Sequence, residues 1–261
     1  MNAPRFYCPM PLAEGLRADL PEGAARHASR VLRLRVDDAL TLFDAGGGEY
    51  AARIVGIERE RVAVEVLAWR NAECESPIDI TLVQALQAGE KMDMTVQKAV
   101  ELGVARIVPV ISRRSVVRLD GERALRRVEH WRGVVASACE QCGRNRVPEV
   151  TALEGLERWL AKAPAPGVRR LMLAPGAQQS LATLPQPLSD ERVELLIGAE
   201  GGLAPEEMQA AVQAGFVGIR LGPRILRTET AGLAALAAMQ SLWGDFREGV
   251  EMKAEMRVDH V

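Results

Sequence analysis

Ile197-Gly198-Ala199-Glu200-Gly201-Gly202 and Leu221-Gly222-Pro223-Arg224-Ile225-Leu226-Arg227-Thr228-Glu229-Thr230-Ala231 are the two stretches on which the reading of this chain turns. Each follows a short apolar run, 193–197 and 216–221, that reads as a buried strand, and each leads into a helical period, 205–214 and 226–243. A third stretch, Leu173-Ala174-Pro175-Gly176, closes another such run over 169–174. Ligands of open α/β sheets bind beyond the carboxyl ends of the strands, which puts the chemistry at these three loops. Glycine directly after a buried strand lets backbone N–H and C=O groups approach a flat ligand with no Cβ in the way, as the edge of an adenine requires. The pattern Gly-x-x-Gly-Gly at 198–202 has neither the spacing nor the position of a dinucleotide fingerprint, and no Gly-Lys-Ser/Thr occurs, so cofactors held by a phosphate cradle are disfavoured.

Outward from these loops, strand and helix alternate from 78 onward, the pattern of an α/β domain with a mostly parallel sheet. A strand at 78–86 precedes a helix at 90–102, with Met92, Val96, Ala99 and Val100 on one stripe and Gly103 as its C-cap. A strand at 106–111 precedes a long helix at 122–142, whose Leu125, Val128, Trp131, Val135, Ala138 and Cys142 recur every three or four residues. The opening part of the chain differs. Residues 40–44, a Gly-rich turn at 45–48, and the runs 50–57 and 61–67 read as half-buried strands, while 21–34 reads as a short helix carrying Arg26, Arg30 and Arg33. The polar stretch 71–77, ending in Pro77, separates the two patterns. With 261 residues and 48% hydrophobic composition, a small domain joined to a medium one is the expectation. The boundaries predicted are a β-rich recognition domain at 1–72, a linker at 73–77, an α/β domain at 78–245 and a charged tail at 246–261.

A net charge of −2 excludes a polycation that coats nucleic acid indiscriminately. Residues 105–146 nevertheless hold ten Arg against four acids; since only four of the 33 basic residues are Lys, an arginine-biased composition accounts for part of that excess as solvated helix faces. Cys8, Cys74, Cys139 and Cys142 are too few for a disulfide framework. The pair Cys139 and Cys142 lacks a second ligand pair and falls at the end of a helical pattern, so neither a metal nor a redox role is expected. No apolar run approaches the roughly 20 residues of a membrane span, and the N-terminus has no secretory-type apolar stretch. A cytoplasmic protein without membrane or metal partners is expected.

Taken together, the two opening stretches resemble the paired cofactor loops of the SPOUT methyltransferases. Gln97-Lys98-Ala99-Val100-Glu101-Leu102-Gly103-Val104, Arg113-Arg114-Ser115 and Glu140-Gln141-Cys142-Gly143-Arg144-Asn145-Arg146-Val147-Pro148 narrow the resemblance to the RsmE family of ribosomal RNA uridine-N3 methyltransferases. Arg5-Phe6-Tyr7 and His27 with Val31-Leu32-Arg33 are similar to that family's RNA-binding domain, so the resemblance spans nearly the whole chain. One departure is Ala199, where the family usually carries Pro; Glu200, Gly201 and Gly202 stand in place. The resemblance implies a PUA-like N-terminal barrel, an α/β domain tied in a trefoil knot, a homodimer, and S-adenosyl-L-methionine as cofactor. By the same resemblance, Leu173, Ala174, Gly198, Glu200, Gly201, Gly202, Leu221, Gly222, Ile225, Leu226 and Ala231 form the adenosyl pocket. The substrate implied is 16S ribosomal RNA or the small ribosomal subunit.

Such a reaction needs an aligned in-line displacement and a deprotonated uridine N3. Arg224 and Asn145 are the candidates for gripping and polarising the uracil or a neighbouring phosphate. Arg227 follows them, with a bracing pair to Glu200 or Glu229 as its alternative, and Glu229 is the candidate general base. Arg5, Arg30, Arg33, Arg113, Arg114 and Arg144 are expected to hold RNA phosphates, and the target base must be unpaired or flipped. Three other readings stay open: a methyltransferase acting on a ribose 2′-oxygen or another base, a non-catalytic RNA-binding protein of the same fold, and a nucleotide enzyme unrelated to RNA.

Overall fold

Apolar residues at every second position, Leu40 and Leu42, Ala52 and Ile54, then Val62, Val64 and Val66, turn one face of three successive strands into a shared core. In the computed structural model, which describes residues 3–163 and 165–247, they belong to a five-stranded sheet. Its strands are β1 (Arg5–Tyr7), β2 (Arg17–Asp19), β3 (Ala39–Phe43), β4 (Glu49–Glu58) and β5 (Arg61–Arg70), in the order β1-β3-β4-β5-β2. β1 runs parallel to β3 and the other pairs are antiparallel. β1 and β2 have three residues each, too short for any alternation to announce them. The stretch 21–34, expected as one helix, is α1 (Glu22–Arg26) followed by a wide π-type turn over His27–Val31, which the chain leaves through Arg33 in the left-handed region.

This first unit, Met1–Glu75, also takes in Cys139–Val147, so it is discontinuous in sequence where a single boundary at 73–77 is the sequence expectation. The bonds inside it give the reason. The Tyr7 N–H donates to Glu140 at 3.0 Å, and the Cys74 thiol donates to the Gly143 carbonyl at 2.9 Å. Glu75 accepts from Arg144 Nε at 2.8 Å and from the Arg146 N–H at 3.0 Å. Hydrophobic period marks where a linker runs but is blind to a later segment that returns to fill the first domain.

The second unit begins at Ser76. Its sheet is formed by β6 (Ile80–Ala85), β7 (Arg106–Ile111), β8 (Glu149–Val150), β9 (Glu154–Gly155), β10 (Val168–Leu173), β11 (Gln179–Ser180), β12 (Arg192–Ile197) and β13 (Val217–Arg220). The helices are α2 (Lys91–Glu101), α3 (Gly121–Cys142), α4 (Leu156–Leu160), α5 (Pro205–Gln213) and α6 (Thr228–Trp243), the last turn of α3 lying in the first unit. The strand order is β11-β13-β10-β12-β6-β7-β8, with β9 also paired to β7 and every pairing parallel. Central strands covered on both faces read as near-continuous apolar runs, and all six residues of β6 are buried. α5 starts at Pro205 with Glu206 and Glu207 in its first turn, where a missing N–H and negative charge are both tolerated.

Of Leu233, Leu236, Met239 and Leu242 in α6, whose apolar character suggests a contact between subunits, Leu236 and Met239 are fully buried within the chain and Leu233 and Leu242 are half-buried. The charged tail expected at 246–261 lies, after Arg247, outside the described residues. No helix among the described residues is long and apolar enough to cross a membrane.

Candidate functional site

β13, β10 and β12 are neighbours in the parallel sheet, so their carboxyl ends at Arg220, Leu173 and Ile197 open on the same edge. The three loops that follow enclose a cavity of about 450 Å³. All eleven residues proposed from resemblance for the adenosyl pocket line it, from Leu173 and Ala174 through Gly198, Glu200, Gly201 and Gly202 to Leu221, Gly222, Ile225, Leu226 and Ala231. Met172, Met208, Arg220 and Thr228 line it too, without having been singled out in the sequence.

The loop after β12 is tight for a definable reason. A Cβ on Gly198 would stand 3.0 Å from the backbone carbon of Gly202 and 3.0 Å from the Leu203 nitrogen, so only glycine lets the loop close on itself. The Gly202 N–H donates to the Ala199 carbonyl at 2.8 Å, and Gly202 takes φ +70°. Ala199, where the family usually carries Pro, is buried inside this turn, which the hydrogen bond closes without a ring.

Behind the cavity lies a buried polar chain. The Thr228 hydroxyl donates to the Gly198 carbonyl at 2.6 Å and accepts from Gln84 Nε2 at 3.1 Å, with Gln87 Nε2 at 3.5 Å. Gln87 in turn accepts from the Thr95 hydroxyl at 2.9 Å. The turn between β6 and α2 is fastened to both cofactor loops: the Ala88 N–H donates to Glu200 at 3.2 Å, and Lys91 pairs with Glu229 at 3.2 Å. The available signal was the presence of glutamines at 84 and 87 in and just after an otherwise apolar run.

Three arginines, Arg114, Arg220 and Arg224, line the cavity against one carboxylate, Glu200. Arg114 comes from the turn after β7, which Ser112 and Ser115 close on each other and which the buried Glu207 carboxylate holds by accepting the Arg113 N–H at 2.7 Å. The Arg113 side chain turns away to Glu157 and Glu206, whereas Arg114 Nη1 donates to the Gly201 carbonyl at 2.7 Å. A Cβ on Gly201 would come within 3.2 Å of the Arg114 stem.

The other sequence candidates separate. Arg224 lies on the cavity lining and is exposed. Arg227 is exposed at the N-cap of α6, and its charge helps hold the Glu229 carboxyl low. Glu229 does not line the cavity; its carboxyl sits below the ordinary range, first because its own backbone N–H bonds to it and then because of Lys91. A carboxylate held ionised in this way is a poor proton acceptor, which argues against a general-base role. Asn145 is buried in the first unit with its amide bonded to Arg5 and to the Ala72 carbonyl. Arg144 is 5% exposed and clamped by Glu75, and Arg5 is turned onto Glu49 and the Phe43 ring. The expectation that Arg5 and Arg144 face RNA phosphates is therefore corrected: both guanidinium groups are committed inside the fold. Arg30 and Arg33 stay at the surface, Arg30 paired with Glu60.

Among the described residues no group of three or more His, Cys, Asp or Glu is arranged to hold a metal ion. The cavity suits a nucleoside-sized ligand: glycine backbone lines it, two methionines and the aliphatic Ile197, Leu203 and Ile219 supply apolar walls, and its polar side chains are few.

Residues 74–240 match a family model described as an RNA methyltransferase domain, and residues 20–67 match one described as an RNA methyltransferase PUA domain. Ribosomal RNA small subunit methyltransferase E of Buchnera aphidicola from Schizaphis graminum is 34% identical over 242 residues, 93% of this chain and 97% of that protein. The protein of the same name from Bacillus subtilis is 30% identical, over 82% of this chain and 85% of its own. Among solved structures, ribosomal RNA small subunit methyltransferase E from Neisseria gonorrhoeae bound to S-adenosyl methionine superposes with a TM-score of 0.89 at 46% identity, covering 94% of this chain and 100% of that one. A methyltransferase from Legionella pneumophila in complex with the same cofactor gives 0.88 at 36% identity, with coverage of 94% and 100%.

Proposed function

This chain belongs to the RNA methyltransferase family that includes ribosomal RNA small subunit methyltransferase E, and from that premise we propose that it methylates N3 of a uridine in 16S ribosomal RNA with S-adenosylmethionine. The observation that carries the reading is the convergence of three glycine-bearing loops on one nucleoside-sized cavity in a chain of this family. When bound, S-adenosylmethionine supplies a methyl group that is already activated. The residues that would hold it are the eleven lining residues named above, mainly through backbone groups, with Thr228 beside them.

The protein's own task is then to present a nucleophilic N3 in line with that methyl. Uridine N3 loses its proton about two pH units above neutrality, so holding the anion costs about 2.7 kcal/mol at pH 7. Arg224, with Arg220 on the same lining, supplies positive charge for this, and no side-chain general base is assigned. Surface arginines, Arg30 and Arg33 on the N-terminal unit and Arg113 and Arg114 near the cavity, are assigned to RNA phosphates. The PUA match supports an RNA substrate. A homodimer working in the cytoplasm is the assembly we propose by family analogy, with light scattering as its check. Mass mapping of 16S ribosomal RNA from cells with and without this protein tests the function: loss of one methylated uridine is expected, and an unchanged methylation map refutes it.

A further inference from the structure

We propose that Thr228 is a positioning residue for the cofactor, acting through the Gly198 carbonyl and backed by the buried chain Gln87 and Thr95. The inference rests on the reading above that the cavity takes S-adenosylmethionine or its product. Gly198 is the point where β12 turns into the loop, and its peptide is packed so closely on Gly202 and Leu203 that a methyl group would not fit. Thr228 fixes the same peptide with a hydrogen bond of 2.6 Å to its carbonyl.

The hydroxyl has no spare capacity. Its single proton goes to Gly198, and its lone pairs face the amide nitrogens of Gln84 and Gln87. Gln84 and Thr95 are fully buried and Gln87 is 4% exposed, so water does not replace a partner lost behind Thr228, which alone of the four meets the cavity. Donation runs one way from the Thr95 hydroxyl on α2 through Gln87 and Thr228 to the Gly198 carbonyl, while Gln84 joins at Thr228 and also donates to the Ala85 carbonyl. The arrangement therefore carries the position of α2 to the first peptide of the cofactor loop, while the Thr228 side chain itself borders the cavity. A loop peptide left to rotate would misdirect the backbone groups that a flat ligand needs.

The test uses full-length protein and S-adenosylhomocysteine, with affinity read by calorimetry and the unliganded unfolding midpoint read separately. Thr228→Val keeps the shape and removes the hydroxyl, and is expected to raise Kd about tenfold or more, the loss expected for a buried hydrogen bond of this kind. Thr228→Ser restores the hydroxyl and should bind within about threefold of wild type. Thr95→Val, at the far end of the chain, should weaken binding by a smaller factor, and the double variant Thr95→Val with Thr228→Val should bind no worse than Thr228→Val alone, the non-additivity of one network. A Thr228→Val protein that binds like wild type, whatever its midpoint, overturns the proposal, as does a Ser variant as poor as the Val variant. Should Thr228→Val not fold, Thr95→Val decides in its place, and wild-type affinity there overturns it. Wild-type protein that fails to bind S-adenosylhomocysteine defeats the cavity assignment instead, which keeps the two failures apart.

Discussion

The guanidinium of Arg5 donates to the side-chain oxygen of Asn145 at 2.6 Å, across 140 residues of sequence. The Asn145 amide passes the connection on to the Ala72 carbonyl at 2.6 Å, in a position only 1% exposed. Asn145→Ala removes the Ala72 carbonyl's side-chain donor and one of several partners of Arg5, which keeps Glu49, and should cost about 1–3 kcal/mol by urea unfolding. S-adenosylhomocysteine affinity is expected to stay at the wild-type value. Wild-type stability with abolished methyl transfer would instead return Asn145 to the substrate.

S-adenosylhomocysteine should raise the melting temperature, and NAD and ATP should not, because a ligand bound only by the native state stabilises it by mass action. The loop at 198–202 has the close backbone approach of a nucleoside site and no phosphate cradle. Equal shifts with all three ligands would contradict the cofactor assignment.

Arg224→Ala should leave cofactor affinity nearly unchanged, since the lining beside it is mainly backbone, yet slow single-turnover methyl transfer by ~10²-fold. The defect should shrink as pH rises, because solvent then removes the N3 proton that Arg224 otherwise makes easier to lose. A variant with a preserved maximal rate and only a raised KM for RNA would assign Arg224 to phosphate binding.

Glu229 gives a sign that can be checked. Its folded-state carboxyl lies below the ordinary value, held first by its own backbone N–H and then by Lys91. A depressed carboxyl contributes stability above the unfolded pKa and loses it as pH falls through the folded one. Glu229→Gln should therefore be less stable than wild type at neutral pH, with the gap closing in acid, while single-turnover methyl transfer stays near wild type. A large rate loss at unchanged stability would restore Glu229 as the proton acceptor.

Burial pushes the Cys8 and Cys139 thiols up to about 12. Thiolate is the reactive form, so iodoacetamide at pH 8 should leave both unmodified in the native protein and alkylate both after unfolding. Rapid native labelling of Cys139, read by peptide mass mapping, would contradict this burial.

What the sequence made legible is what local pattern governs. Gly198 and Gly222 stand directly after apolar runs, with Gly201 and Gly202 close behind the first, and that identifies the edge of the sheet where the loops converge. The bond from Thr228 to Gly198 spans 30 residues and that from Gln87 to Thr228 spans 141, and neither leaves a local signature. The burial of Arg144 and Asn145 leaves no local signature either. An Arg-rich segment after a long helix has the composition of a solvated face, and only Glu75, Arg5 and Ala72, distant in sequence, reveal that it is buried.

The cavity is enclosed by loops after β10, β12 and β13, and Thr228 and Ala231 at the start of α6 complete it. Protein synthesis runs from the N-terminus, so all the strands of the parallel sheet are made before the last residues that line the cavity. A chain stopped ahead of residue 228 thus holds every strand of that sheet and still lacks two residues that line the cavity.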